Sequence, residues 1–390
     1  MAHEVDILIV GAGHAGLLLA GALGRAGFGV AIVEPVPLGA IAQASPDGRT
    51  LALMRSSRTA MERLGAWTSV EPVATPVLGA EVVDAASGGR VAYRRDAPDE
   101  PPFAYGVVNT ELRRALLHWA LAGCGARALL PGRVRALRRG RRAVEAVLEG
   151  GASVTAALVV GADGRGSTIR RLAGIALDQW TYPQTAVTFV VAHDAPHDGL
   201  VRERLRPQGP LALLPVGPRH SGVTWVEPHA EAQRILAMEP AERATRLDRE
   251  IRHALGTLAI VGPSRGWPLG AQHARRYVAP RVALVGDAAH GVHPIHAQGF
   301  NMGVADVAAL VDALSGTGIG RSDPGDAGAL LAYERRRRGA NTRTIWLTDG
   351  LNRLFSNDLP GLRTLRGAGL RLLDRIAPLR ALAVEMGSGG

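Results

Sequence analysis

The sequence predicts an α/β fold: a Rossmann-like, largely parallel sheet, a mainly antiparallel sheet inserted into it, and a helical tail. Three observations carry this. An apolar strand at the N-terminus runs directly into a glycine-rich turn and a helix. A second apolar strand ends on Gly286-Asp287 ahead of another helical pattern. Between them, at about 181–270, short strand-like runs alternate with Pro and Gly. The expected boundaries are 1–75, 100–180 and 271–341 for the parallel domain, 76–99 and 181–270 for the inserted one, and 342–390 for the tail.

At 390 residues with 47% hydrophobic side chains, the chain has enough apolar material for a large core. The single cysteine, Cys124, excludes an internal disulfide and points to a reducing compartment. All 45 basic Lys+Arg positions are arginine, and the net charge is +10. Such a charge suits nucleic acid or an anionic surface. There is no zinc-ligand spacing or helix-turn-helix pattern, and aromatics are only 4%, too few for a stacking platform. Nucleic acid is therefore not an expected partner. The opening MAHEVD is acidic and the apolar run behind it breaks at Gly11, unlike a signal peptide, and no stretch matches a bilayer span. A cytoplasmic location is expected, with any membrane contact peripheral.

In chain order, Val5 to Val10 reads as a buried strand, Gly11-Ala12-Gly13-His14-Ala15-Gly16 as a dinucleotide fingerprint, Leu17 to Ala26 as a helix, and Val30 to Val33 as a second strand ending at Glu34. The glycines allow a tight turn and close approach of a pyrophosphate, and Glu34 can accept hydrogen bonds from a ribose diol. This unit serves FAD and NAD equally well. Residues 49–67 contain a helix packed through Ala60, Met61 and Leu64 and stopped at Gly65, with Arg49 ahead of it. Residues 81–93 form a hairpin turning at Gly88-Gly89, and an amphipathic helix starts at Asn109. Strand patterns resume over 144–160 and lead to Gly161-Ala162-Asp163-Gly164-Arg165-Gly166-Ser167, a carboxylate among glycines at a strand end. Strands follow at 186–192, 211–216 and 222–226, then a helix over 230–255.

Arg281 to Val285 is again strand-like, and Asp287 sits at its carboxyl end, where open α/β sheets bind ligands. A turn with Pro294 and Gly299 precedes a helix from about Asn301, whose free N–H groups would face an anion. Read alone, the stretch fits an ordinary strand–loop–helix unit as well as a flavin site. His290, His293 and His296 have a metal-like spacing, but a Pro-interrupted loop gives them no defined geometry, and no metal is expected.

Three motifs, the N-terminal fingerprint, ADGRGSTIRR and LVGDAAHGVHPIHAQGFNMG, resemble in order and spacing the single-component FAD aromatic hydroxylases of the p-hydroxybenzoate hydroxylase fold. YPQTAVTFVVAHDAP, RERLRPQGPLALLPV, YERRRR and TDGLNRLFSND are similar to the ubiquinone-biosynthesis (UbiH/UbiF/VisC) branch. The resemblance implies a Rossmann-like FAD-binding domain with Gly11, Gly13, Gly16 and Glu34 on the ADP half of FAD, and Arg49 and Asn109 at its centre. It puts Asp163 in a motif shared between FAD and NAD(P)H, and Gly286-Asp287 on the ribitol. Pro294, Gln298, Gly299, Phe300 and Asn301 would flank the isoalloxazine, with Pro294, His296 and Gln298 nearest to a catalytic role. The chain departs from the family at His296-Ala297, where a small residue and glycine are usual. The implied reaction uses NAD(P)H and O2 to hydroxylate a phenolic ring through a flavin C4a-hydroperoxide. The implied substrate is a polyprenylated ubiquinone precursor, met in a biosynthetic assembly or at an anionic membrane edge. A tailoring hydroxylase, a prenyl reductase and a non-enzymatic FAD-binding component are the alternatives. A flavin halogenase is disfavoured, because its resemblance class needs a lysine. From Pro360 the tail sets Leu362, Leu365, Leu370, Leu373 and Ile376 among Arg363, Arg366, Arg371, Arg375 and Arg380, an amphipathic helix pattern whose apolar stripe is expected to pack on the FAD-binding domain, as on any surface helix, while its arginine face suits an anionic interface.

Overall fold

In the largest sheet, the strand His3–Val10 lies at the centre, parallel to Val30–Glu34 on one side and Ser153–Gly161 on the other. Ile7, Leu8 and Ile9 are fully buried, as a parallel sheet covered on both faces requires. Leu129–Pro131 and Val282–Leu284 extend it in parallel on the two flanks, and an antiparallel hairpin pairs onto Ser153–Gly161. The helices His14–Arg25, Asn109–Cys124 and Gln298–Ser315 pack on this sheet and share its core. The computed structural model describes residues 3–95, 97, 99–125, 129–316, 323–357, 361, 367–369 and 372, without the side chains of His3 and His296.

A second sheet, eight-stranded, runs in the order His290–Gly291, Leu258–Ala274, Leu177–His193, His220–Pro228, Leu211–Pro215, Leu200–Leu205, Gly79–Asp84, Arg90–Arg94. Its pairings are antiparallel except between Leu200–Leu205 and Gly79–Asp84. Its far face is covered by two helices, His229–Ala237 and Pro240–Glu250, over a core that includes Phe189, Trp225 and Leu247. A small sheet of Thr50–Met54, Ala104–Val108 and Thr75–Val77 bridges the two.

The expected fold class is the observed one, and four elements differ in detail. The strand expected at 186–192 spans Leu177–His193, and its 17 residues pair with the equally long Leu258–Ala274. The single helix expected over 230–255 is two, because Pro240 lacks the N–H that would continue the first and instead starts the second. The helix expected from Asn301 begins at Gln298. The helix Ala327–Phe355 covers the start of the expected tail. The arginine-edged segment from Pro360, with Leu362, Leu365, Leu370, Leu373, Ile376, Arg363, Arg366, Arg371, Arg375 and Arg380, lies outside the described residues.

Candidate functional site

A cavity of about 1100 Å³ opens between the two sheets, at the carboxyl ends of the parallel strands. One end of it is built by the glycine turn. Gly11 has φ +106, and a Cβ there would fall 2.4 Å from the Ala162 carbonyl oxygen, so no other residue fits. Gly13 has open space where a side chain would stand and lines the cavity. The helix it begins has no side-chain cap, which leaves its first N–H groups directed at whatever occupies the turn. Glu34, at the end of its strand, accepts from Ala12 N at 2.7 Å and Val36 N at 3.1 Å, fixing the carboxylate beside the fingerprint.

Beyond the turn, Arg49 and Asn109 both reach the cavity, joined through Asp47. The Arg49 guanidinium donates twice to Asp47 Oδ2, at 2.9 and 2.6 Å, and lies 4.4 Å from the Trp267 ring centre. Asn109 Nδ2 donates to the same oxygen at 2.8 Å. His14 packs against Phe300, its Nε2–H donating to the Asn109 carbonyl at 3.0 Å. Burial lowers its pKa to about 4, so the ring is neutral at physiological pH.

Gly286 and Asp287 stand on the cavity wall, with Gly286 in a left-handed turn at φ +58. The Asp287 carboxylate is open to the cavity yet enclosed by protein, and this burial raises its pKa against the pull of the His290, Arg165 and Arg49 charges. No hydrogen bond to that carboxylate comes from the described residues, so its lone pairs face the cavity. Opposite the loop, Pro294, Gly299 and Phe300 line the cavity at the start of the Gln298–Ser315 helix, which likewise has no side-chain cap. Its cap residue, Ala297, is held left-handed at φ +50, a conformation that costs a residue with a Cβ about 1–2 kcal/mol. A glycine would adopt it freely.

Three residues expected to meet a ligand are placed differently. Asp163 does not line the cavity; its carboxylate accepts from Ser167 Oγ, Thr168 N and Ile169 N and so anchors the helix Thr168–Leu172. Asn301 is buried and all its valences are used: Met54 N and Ser57 Oγ donate to Oδ1, and Nδ2 donates to Ala52 and Ala297 carbonyls. It staples the helix start to the Thr50–Met54 strand. Gln298 opens the helix without lining the cavity. Gly11 and Gly16 support the turn from behind. The side chain of His296 lies outside the described residues. Of the other two loop histidines, His290 Nε2–H donates to buried Asp306, and His293 Nδ1 accepts from Ile295 N.

Sequence reading missed Asp47, Arg113, Arg165 and Trp267 on the inner part of the site, and the sheet residues Tyr93, Glu203 and Thr224 on its outer part. His14 and Arg165 stand inside the two glycine motifs and Asp47 lies two residues before Arg49, whereas Trp267 and the sheet residues are brought in by long-range pairing that leaves no local signal. The donor set fits FAD: an uncapped helix start over an open glycine for a pyrophosphate, a bare carboxylate for sugar-like hydroxyls, and a second uncapped helix start for an electron-rich ring.

The chain matches the model of the FAD binding domain family over residues 4–346. It is similar to ubiquinone hydroxylase UbiL of Rhodospirillum rubrum, 37% identical over 98% of this chain and 89% of the relative. It is also similar to 3-demethoxyubiquinol 3-hydroxylase of Escherichia coli, 32% identical over 99% of both. Among solved structures, Pseudomonas aeruginosa PqsL in complex with 2-aminobenzoylacetate superposes with a TM-score of 0.78 at 27% identity, covering 94% of this chain and 99% of that one.

Proposed function

We infer the reaction from one premise: the chain belongs to the FAD-binding-domain family, alongside the ubiquinone hydroxylases. It is an FAD-dependent, NAD(P)H-using monooxygenase that hydroxylates an aromatic ring in ubiquinone biosynthesis. Gly11, Gly13, Gly16 and Glu34 would hold the ADP half of FAD, Arg49 and Asn109 its centre, Gly286-Asp287 the ribitol, and Pro294, Gly299 and Phe300 the ring. Bound FAD supplies reduction by NAD(P)H and activation of O2 for transfer of one oxygen atom.

The protein's own part is to bind, orient and keep the site dry. Asp287 would accept from the ribitol hydroxyls. The N–H groups at the start of Gln298–Ser315 would stabilise negative charge on a bound flavin ring. Neutral His14 adds no competing positive charge. Apolar walls exclude water from the reacting atoms.

The observation that carries the substrate class is the continuity of the cavity. From Asp287 and Phe300 it runs along an apolar sheet face to Leu351, Leu354 and Phe355 near the end of the long helix. That shape suits a phenolic ring with a long alkyl tail, a polyprenylated phenol. The test supplies the holoenzyme with NAD(P)H, a prenylated phenol and 18O2. Label should enter one new hydroxyl group, and none should come from labelled water; turnover undiminished without oxygen would support a prenyl reductase instead.

A lipid substrate calls for a lipid-facing surface. Among the described residues, no helix is long and apolar enough to cross a membrane. The outer face of Ala327–Phe355 exposes Leu331, Trp346 and Leu347 between Arg335, Arg336 and Arg343, while the helix's acids, Glu334 and Asp349, are buried. This pattern supports peripheral contact with an anionic membrane, or with partner proteins of a ubiquinone-biosynthesis assembly. Vesicles with anionic lipid should bind the protein, neutral vesicles should not, and salt should weaken binding.

A further inference from the structure

The second sheet turns alternate residues of its strands toward the cavity, and one of them is a tyrosine. On the edge strand Arg90–Arg94 the residues that line the cavity are Val91 and Tyr93. The register sets Tyr93 beside Ala80, and Ala80 beside Val201, so its neighbours across the sheet are alkyl. Its ring stands edge-on to Phe103, with centroids 5.0 Å apart and planes at 80°. Phe103 is held in turn: its N–H donates to the Val77 carbonyl at 3.0 Å, and the Arg55 guanidinium lies 5.7 Å from its ring centre. Both Tyr93 and Phe103 line the cavity.

The ring is fixed, yet its hydroxyl is unused. Among the described residues none hydrogen-bonds to it, and it is not shut away from solvent, so its proton is available to whatever enters the cavity. Packing alone gives no reason for that oxygen, since phenylalanine would fill the same space against Phe103. Burial, and then the Glu203 charge, raise the pKa of the Tyr93 phenol, so the hydroxyl keeps its proton. The position borders the ring-binding part of the site. Phe103 runs directly into Ala104, which with Val77 belongs to the apolar cluster that includes Ala297, the cap of the Gln298–Ser315 helix. Val201, two strands across from Tyr93, packs on the same cluster, about 10 Å away at the spacing of paired strands.

Resting on the reading of a phenolic substrate, we propose that Tyr93 is a specificity-determining residue: its hydroxyl donates a hydrogen bond to the oxygen on the substrate's ring, while Phe103 and the alkyl side chains of the sheet pack against the ring and its tail. The bond fixes how the ring is turned in the cavity, and so which carbon faces the loop ahead of Gln298. A ring without an oxygen substituent fills the same space and forfeits the bond. The site therefore prefers an oxygenated ring over the bare arene of the same shape.

The experiment titrates FAD-loaded enzyme with 2-prenylphenol and with prenylbenzene, following the flavin absorbance change, for wild type and Tyr93→Phe. Wild type should bind the phenol more tightly than the arene. Tyr93→Phe should weaken the phenol by about 3- to 10-fold, the range for one hydrogen bond between uncharged groups, and leave prenylbenzene within about twofold. Its hydroxylation of 2-prenylphenol should spread over more ring positions than in wild type. FAD content and melting temperature should stay at wild-type values, because the ring on Phe103 is kept. If Tyr93→Phe retains the wild-type preference, or if wild type has none, the assignment falls while the phenolic reading stands. If both probes weaken together, Tyr93 only shapes the wall and the assignment falls as well. Hydroxylation of 2-prenylphenol by wild type with 18O2 is measured in parallel: if no label enters the ring, the phenolic reading fails and takes the assignment with it.

Discussion

His290 Nε2 lies 2.5 Å from Asp306 Oδ2, with both side chains wholly withdrawn from solvent. The same carboxylate accepts from Gly286 N at 3.1 Å, Arg337 Nε at 2.9 Å and Asn341 Nδ2 at 2.9 Å. Asp306 thus ties the Gly286-Asp287 turn to two helices. Burial alone would raise its pKa, but His290 and Arg337 outweigh that and hold it below the usual carboxylate value. Asp306→Ala leaves a buried guanidinium and imidazole without their acceptor and should cost about 3–5 kcal/mol in chemical denaturation. Because the depressed carboxylate stabilises the fold only while ionised, that contribution should persist in wild type above about pH 4 and vanish below it.

The histidines carry a different pH dependence. Burial lowers His14, His273 and His293 each to about 4. Unfolded, the same side chains bind protons below about pH 6.5. The unfolded state therefore takes up protons that the folded state refuses, and stability should fall as pH drops from about 6.5 to 4. Urea midpoints at pH 7, 6 and 5 should show the decline, and His14→Gln should flatten it.

Asp287→Ala removes the acceptor that faces the cavity without a protein donor. FAD binding to the apoprotein, followed by fluorescence, should weaken by about 10- to 100-fold, consistent with loss of a hydrogen bond to a charged group. The apoprotein should unfold no earlier than wild type, since an enclosed charge has been removed.

Ala297 provides a backbone test. Ala297→Val puts a β-branched side chain at φ +50, where it is a steric outlier, and should lower stability by about 2 kcal/mol or more. Ala297→Gly relieves the strain but loses a packed methyl and frees the unfolded chain, so its melting temperature should stay close to wild type.

What could be read from the sequence was what neighbouring residues encode. The fingerprint at Gly11–Gly16, the acid at Glu34 and the Asp287 strand end each depend on a few adjacent residues, and each stands where a strand meets a turn. The second sheet was harder. Leu258–Ala274 contains Gly262, Pro263, Gly266, Pro268 and Gly270, residues that locally signal turns, yet it pairs along most of its length with Leu177–His193. Long-range pairing overrides local preference there, with the register slipping at Thr181/Thr185 and Thr188/Val190. Asn301 shows the same limit at the site. No pattern around it reveals that Met54, Ser57 and Ala52, some 250 positions earlier in the chain by their numbering, consume its amide. Glu203, between two arginines, looks like any surface charge until the pairing decides which way it points.

The long pair Leu177–His193 and Leu258–Ala274 has a mechanical consequence. At one end it continues into His290–Gly291, beside the parallel domain, and at the other it forms the middle of the inserted sheet. Two strands that cross from one lobe to the other as a single hydrogen-bonded ribbon act as a spar. Swinging the lobes apart would have to shear a ladder of backbone bonds rather than bend a linker. Substrate entry and product exit are then matters of small parts moving in a stiff frame: a side chain at the cavity mouth, or the few residues between Pro294 and Ala297.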